Sequence, residues 1–198
     1  MRDTIEEGSR SKRLKALTHD THDRLDQSIV ARRPFADRAR YARFLAVQYG
    51  FHRDVQALYD HPALSPLFPG PDDRKRLEAI VQDLKDIGAE APLLSVSPHF
   101  EVGEIDLATA LGWLYVAEGS NLGAAFPLKW AAALDLDETN GARHLAPSPD
   151  GRAKRWRSFT EALDAMDLSE SEEMRVVDGA RAAFIRVHSL VADVFGEV

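Results

Sequence analysis

The 198-residue sequence contains no cysteine. Disulfides, thiolate metal sites and cysteine nucleophiles are excluded together, which fits a reducing compartment. A surplus of basic charge is missing as well: 25 Lys and Arg stand against 32 Asp and Glu, for a net charge of −7. Binding driven by neutralising nucleic-acid phosphates is disfavoured, and no nucleic-acid partner is expected. The charged opening MRDTIEEGSRSKRLKAL lacks the apolar stretch of a signal peptide, so a cytoplasmic location is expected. No strand-period run of convincing length, internal repeat or low-complexity tract is present. Two catalytic signatures are absent too: there is no Glu-x-x-His pair for a ferritin-like di-iron site and no Gly-x-Ser-x-Gly elbow.

What is present is helical. Apolar residues recur at three- and four-residue steps through Leu14, Leu17, Leu25 and Ile29, then through Phe44, Val47, Phe51, Val55 and Leu58. ARRPFAD, with Pro34, separates these two helices; HPALSPLFPGPDD is a proline-rich connection, and Asp72 or Asp73 is expected to cap a third helix through RKRLEAIVQDLKDIGA. Residues 89–103 read as a loop. The stretch from Asp106 to Leu136 carries only Glu118 and Lys129 as charges between Asp106 and Asp135. Glu118, Ser120, Asn121, Pro127 and Lys129 interrupt it too often for a membrane span of about 20 apolar residues, so a buried, bent helix is expected and no membrane partner. Two further helices follow, through GRAKRWRSFTEALDAM and from about Ser169 to Phe195, where Ser169 and Glu172 have capping-box spacing. The expected architecture is all-α, with residues 1–198 forming one domain and residues 1–9 a flexible N-terminal segment. With no unpaired helical seam evident, a monomer is expected.

Three stretches combine polar chemistry with helical spacing. In LTHDTHDRLDQ, a helical wheel puts Leu14, Leu17, Thr18, His22, Leu25 and Ile29 in one broad sector with His19 at its edge, so His22 is expected to face inward. A core histidine satisfied by a neighbour explains this; so does a metal or haem-iron ligand whose ring N–H is oriented by Asp26 one turn later. A zinc site built on His19 and His22 has only a weak spacing signal. In VAEGSNLGAAFPLKW, Gly119 and Gly123 stand four apart and bare one helix face. Pro127 lacks the N–H that would bond the Gly123 carbonyl. Close helix–helix packing is one explanation; backbone lying flat against a broad planar ligand, with Ser120 and Asn121 holding water, is the other. In AVQYGFHRD, Gln48 and His52 share a face, either as a hydrogen-bonding pair leading out of a pocket or as residues of a solvated surface. Trp156 and Tyr115 offer apolar area with a polar tip, although aromatics at this spacing are commonly core.

Together these stretches resemble the haem oxygenases, closely the bacterial group that supplies iron from haem, over roughly residues 10 to 195. LTHDTHDRLD is similar to that family's proximal helix, PFADRARYARFLAVQYGFHRD to the helix after it, and ALGWLYVAEGSNLGAAF with LDETNGARHL to the distal helix and its continuation. The resemblance implies a fold that holds haem between a proximal helix and a kinked distal one. It implies haem b as substrate and cofactor, with iron bound by His22; Gly119, Ser120 and Gly123 against the distal haem face; and Gln48 and His52 in a distal water network, with Trp156 a further member. Lys15 and Tyr115 match positions that contact haem propionates in relatives cleaving at the α-meso carbon; relatives with shifted haem seating carry other residues there. Pro127 departs from the family pattern. The implied reaction consumes O2 and electrons from a ferredoxin or flavoprotein reductase, and yields biliverdin IX-alpha, ferrous iron and carbon monoxide. A haem-binding carrier or sensor without turnover is the alternative from another class.

Overall fold

The computed structural model describes residues 9–68, 74–94 and 97–196. Seven α-helices run in the order α1 (Arg10–Ala31), α2 (Arg38–Asp60), α3 (Leu77–Asp86), α4 (Leu107–Gly123), α5 (Ala125–Ala131), α6 (Arg152–Asp164) and α7 (Glu170–Phe195), with short 3₁₀ turns in the connections. No strand occurs among the described residues; paired bridges from Asp137 to Asn140 and Gly141 close a tight turn. The all-α expectation therefore holds. Asp72 and Asp73 lie outside the described residues, and α3 begins at Leu77 with Arg76 at its N-cap. Residues 1–8 of the expected N-terminal segment also lie outside them.

Local chemistry sets the helix starts. Asp37 accepts the Arg40 N–H at 2.7 Å and starts α2, and Asp106 accepts the Thr109 N–H at 3.2 Å and starts α4. Ser169 and Glu172 form the expected capping box, with the Ser169 N–H donated to the Glu172 carboxylate at 2.8 Å. Such caps satisfy N–H groups that have no partner within the helix. The break after Gly123 falls where Pro127 cannot donate to the Gly123 carbonyl, and Ala124 stands between α4 and α5.

Helix α4 is the centre of the molecule. All eight residues from Leu111 to Glu118 are buried, as expected of a helix apolar on every side. Its widest contact is with α7, where two glycines allow the backbones to touch. A Cβ on Gly112 would stand 2.1 Å from the Val176 carbonyl oxygen and 2.4 Å from the Ala180 nitrogen; one on Gly179 would stand 2.3 Å from the Thr109 carbonyl oxygen. Helix α7 also carries α1 and α2 along its length, whereas α1 and α4 make little direct contact with each other.

The proximal-side helix α1 is pinned at both ends. Arg10, buried, donates to the Leu163 and Met166 carbonyls at the end of α6 and pairs with Glu173 of α7. At the other end Arg32 donates to the Gly196 carbonyl at 3.1 Å. Between these anchors, Leu14, Thr18 and Leu25 are buried, but Leu17 is 45% exposed and the His22 side chain 52% exposed. The broad inward sector read from the wheel is thus too wide: α6 and α7 cover a narrow stripe, and both Leu17 and His22 lie on its flanks.

The glycine crossing yields a stability prediction. Gly112→Ala or Gly179→Ala must push the helix backbones away from each other rather than bend a side chain, and overpacking of this kind is expected to cost about 3 kcal/mol. At about 2–4 °C per kcal/mol for a chain of this size, Tm measured calorimetrically falls by roughly 6–12 °C.

Candidate functional site

The stripe of α4 that meets α7 at Gly112 continues one heptad on to Gly119 and then to Gly123, because steps of seven and four return to the same helix face. Past the crossing no helix among the described residues fills it. Of the described residues, an added Cβ at Gly119 would meet only the edge of the Trp156 ring, at 3.7 Å, and one at Gly123 would meet none within 4 Å. Close helix packing, one of the two explanations for paired glycines, therefore belongs to Gly112 and Gly179. Gly119 and Gly123 form an open platform of backbone.

His22 stands on α1, with its ring edge-on to Phe184 of α7 at 5.5 Å between centroids. Its Nδ1 lies 3.5 Å from the Asp26 carboxylate and 3.7 Å from that of Asp23. Two acidic groups on the Nδ1 side favour the tautomer that leaves Nε2 unprotonated and free to bind a metal. Asp26 itself is shifted upward, by partial burial more than its histidine neighbour lowers it. His19 pairs with Asp23 at 3.4 Å, and no cluster of three metal-binding side chains exists among the described residues. Lys15, seven residues before His22, is exposed on the same flank of α1.

The remaining predicted residues are distributed as follows. Tyr115 is buried against Trp156, 5.5 Å between ring centroids, and burial pushes its hydroxyl pKa up. Gly119, Tyr115 and Trp156 thus converge, while His22 packs on Phe184 of α7. Ser120 is exposed and donates its hydroxyl to the Ala117 carbonyl at 2.7 Å, so in this state it serves its own helix. Asn121 is not on the platform. It points to the opposite side of α4, into a small cavity shared with Arg76, Ser148, Arg152 and Trp156, where Arg152 also reaches the Asn121 carbonyl at 3.3 Å.

On α2, His52 is buried and Gln48 half-buried, which removes the solvated-surface explanation for His52. No hydrogen bond joins the two among the described residues. Burial pushes the His52 pKa down to about 3, with the neighbouring His144 and Arg76 adding to the shift. His144, in the GARHL run, is also held below the ordinary range by burial. It is fixed by Asp83, which accepts from its Nδ1 at 2.8 Å and its backbone N–H at 2.9 Å. Helix spacing could not reveal this pair, because Asp83 and His144 lie 61 residues apart. Phe184, which seats the His22 ring, is likewise indistinguishable in sequence from any apolar residue of α7. On the back of α4, Glu118 is buried and accepts from Arg74 at 2.6 Å and from Tyr59 at 3.0 Å.

A bare glycine platform on α4 and a half-exposed histidine on α1 suit a flat ligand carrying a metal, and the comparisons with known proteins bear on that directly. The Heme oxygenase family model matches residues 9–193. The chain belongs to the haem oxygenase family. It is 46% identical over 186 residues to the heme oxygenase PigA of Pseudomonas aeruginosa, covering 94% of this chain and 93% of that one. The structure of the Neisseria meningitidis heme oxygenase, solved with NO and CO bound, is 41% identical and superimposes with a TM-score of 0.88, covering 96% of this chain and 94% of that chain. The Leptospira interrogans heme oxygenase, 19% identical with a TM-score of 0.74 over 94% of this chain and all of that one, shares the fold. No helix among the described residues is long and apolar enough to cross a membrane.

The site's geometry alone carries a pair of expected outcomes. In the ligand-free protein Gly119→Ala makes an ordinary contact with Trp156 and gains up to about 1 kcal/mol of helix propensity, so its Tm should match or exceed that of the parent. The second concerns acid. An unfolded histidine takes up a proton below about pH 6.5, which folded His52 refuses until about pH 3, so its contribution to stability is present above pH 6.5 and is lost as pH falls. Urea titrations at pH 7 and pH 5 should differ by about 2 kcal/mol for such a group, the slope reaching about 1.4 kcal/mol per pH unit below pH 6.5, and His52→Gln should flatten it.

Proposed function

We propose that this protein degrades haem to biliverdin IX-alpha, ferrous iron and carbon monoxide, with O2 and electrons from a separate ferredoxin or flavoprotein reductase. The observation that carries the reading is the open backbone platform of Gly119 and Gly123, in a chain of the haem oxygenase family. Haem b, both substrate and cofactor, supplies the redox chemistry and activates O2.

The chain's own role is to seat that group and manage protons. His22 Nε2 would hold the haem iron, with Asp26 beside Nδ1 fixing the ring. Glycine backbone lets the distal helix lie against the macrocycle, where any larger side chain would hold it off. Among the described residues no acidic or basic side chain stands on the platform. Proton delivery would then fall to water held at a distance by Gln48 and His52. Buried His52 stays neutral at physiological pH, so its ring keeps one N–H to donate and one nitrogen to accept. Lys15 supplies a cation and Tyr115 a protonated hydroxyl for the propionates, which fixes the in-plane rotation and selects the α-meso edge. A carrier or sensor would be expected to close the distal side with a second iron ligand, and the platform residues offer none. The released iron suits a role in using haem as an iron source.

The test is an absorbance time course of the hemin-loaded protein in air, with ascorbate or a reductase system and catalase. The Soret band should decay as biliverdin absorption grows. His22→Ala should lose the parent spectrum and its conversion; a variant that bound and degraded haem normally would remove the ligand assignment. Chromatography should give mainly the α isomer, and a β or δ product would reject the placement of Lys15 and Tyr115.

A further inference from the structure

Two aromatic side chains stand out against an interior that has absorbed the rest. Phe126 is 68% exposed and Trp130 47%, and among the described Phe, Tyr and Trp residues these two alone are exposed. Water-exposed aromatics adjoining a ligand surface mark contact area waiting to be covered. Their position is specific. Ala124 keeps αR geometry at the break between α4 and α5, so the platform stripe of Gly112, Gly119 and Gly123 runs on, in steps of three and four, to Phe126 and Trp130. Their rings lie 6.3 Å apart between centroids, and Trp130 also meets Phe35, at 5.5 Å, in the turn that joins α1 to α2.

The two helices therefore differ in chemistry from end to end. At the end where α1 is pinned to α6, Lys15 and Tyr115 offer a cation and a hydroxyl; where α1 turns into α2, Phe126, Trp130 and Phe35 offer a continuous set of rings, and Arg38 at the start of α2 donates to the Leu134 carbonyl. Haem has the same asymmetry, with two carboxylates on one side of its rim and vinyl and methyl groups on the rest. We propose that Phe126 and Trp130 form an apolar wall that takes a vinyl- and methyl-bearing edge of haem and excludes the propionates, making them determinants of regioselectivity. The inference rests on the haem-degrading function proposed above and extends it from the propionate end to the opposite one. A carboxylate laid against the rings loses hydration and gains no counter-charge from them, which raises the cost of that seating. Lys15 and Tyr115 attract the correct seating while the wall penalises the others, and specificity is set by the difference.

The wall can be read without turnover. In the low-spin cyanide complex of the haem-loaded protein, proton NMR should give NOEs from the Trp130 indole and the Phe126 ring to haem vinyl or methyl protons. The double variant Phe126→Ala with Trp130→Ala should keep the His22-ligated spectrum while showing a second set of haem methyl resonances, about a tenth of the signal or more. Trp130→Lys should move product away from the parent's isomer. NOEs from either ring to propionate methylenes would overturn the inference. So would a His22-ligated complex with no NOE to either ring, including one in which the parent sediments as a dimer and the double variant as a monomer, since the rings would then cover a second copy of the chain. Failure to form a His22-ligated complex at all would instead remove the haem-degrading function on which the wall depends.

Discussion

The contact on which the rest of the structure depends is the crossing of α4 and α7 at Gly112 and Gly179. Backbone meets backbone there, with no space for even a methyl group on either helix. A crossing so close fixes the depth and direction of α4 more tightly than interdigitated side chains would, because side chains can change rotamer and backbone cannot. Since α7 also carries α1, the same crossing sets how α4 stands relative to α1. The spacing of those two helices is thus defined through α7, by a contact that neither the Gly119–Gly123 platform nor His22 takes part in.

Buried charge reinforces that frame from behind. Glu118 is held by Arg74 and Tyr59 on the back of α4. Asp54, fully buried on α2, accepts from Arg186 of α7 at 2.7 Å and from the His99 backbone at 3.0 Å. Asp83 gathers the backbone and side chains of Arg143 and His144. Breaking such a pair by removing one partner costs several kcal/mol, whereas the net worth of the intact pair is small. These groups serve as address labels more than as glue: each joins elements far apart in sequence, and a mispaired arrangement would leave a buried carboxylate alone. They bracket α2 and α4, the helices that bear Gln48, His52 and the glycines.

Much of this was legible in the sequence where the signal was local. Helix existence, the Ser169 capping box, the break before Pro127 and the bared face at Gly119 and Gly123 follow from spacing and backbone chemistry within one or two turns. Orientation toward partners did not. The wheel for α1 placed Leu17 and His22 in the covered sector, yet their exposure is decided by how wide a strip α6 and α7 cover, which no single helix encodes. Asn121 next to Ser120 read as a second polar group of the same site, although 100° per residue carries it round toward the far side of α4. Gly112 has no local mark to set it beside the two later glycines, because its partner, Gly179, lies 67 residues on. The histidine pair His52 and His144 has the same character: each is visible as a residue, but their proximity exists only in the fold.

One stripe of α4 thus serves two surfaces in succession. At Gly112 the missing side chain admits another helix, and the lost helix propensity is offset within the protein by the packing it permits. At Gly119 and Gly123 the same omission has no protein partner beyond the edge of one tryptophan ring, so the ligand-free chain carries the cost uncompensated. Up to about 1 kcal/mol is given up at Gly119 inside α4, and less at Gly123, its last residue; only something that binds the folded state can return it, by mass action. The interruption at Ala124 does not end the stripe: Ala124 keeps αR geometry, so the same face continues to Phe126 and Trp130. Positions that weaken the free protein while leaving its fold intact are where selection for the ligand, not for stability, is recorded, and along this stripe the change from packing glycine to platform glycine falls between residues 112 and 119.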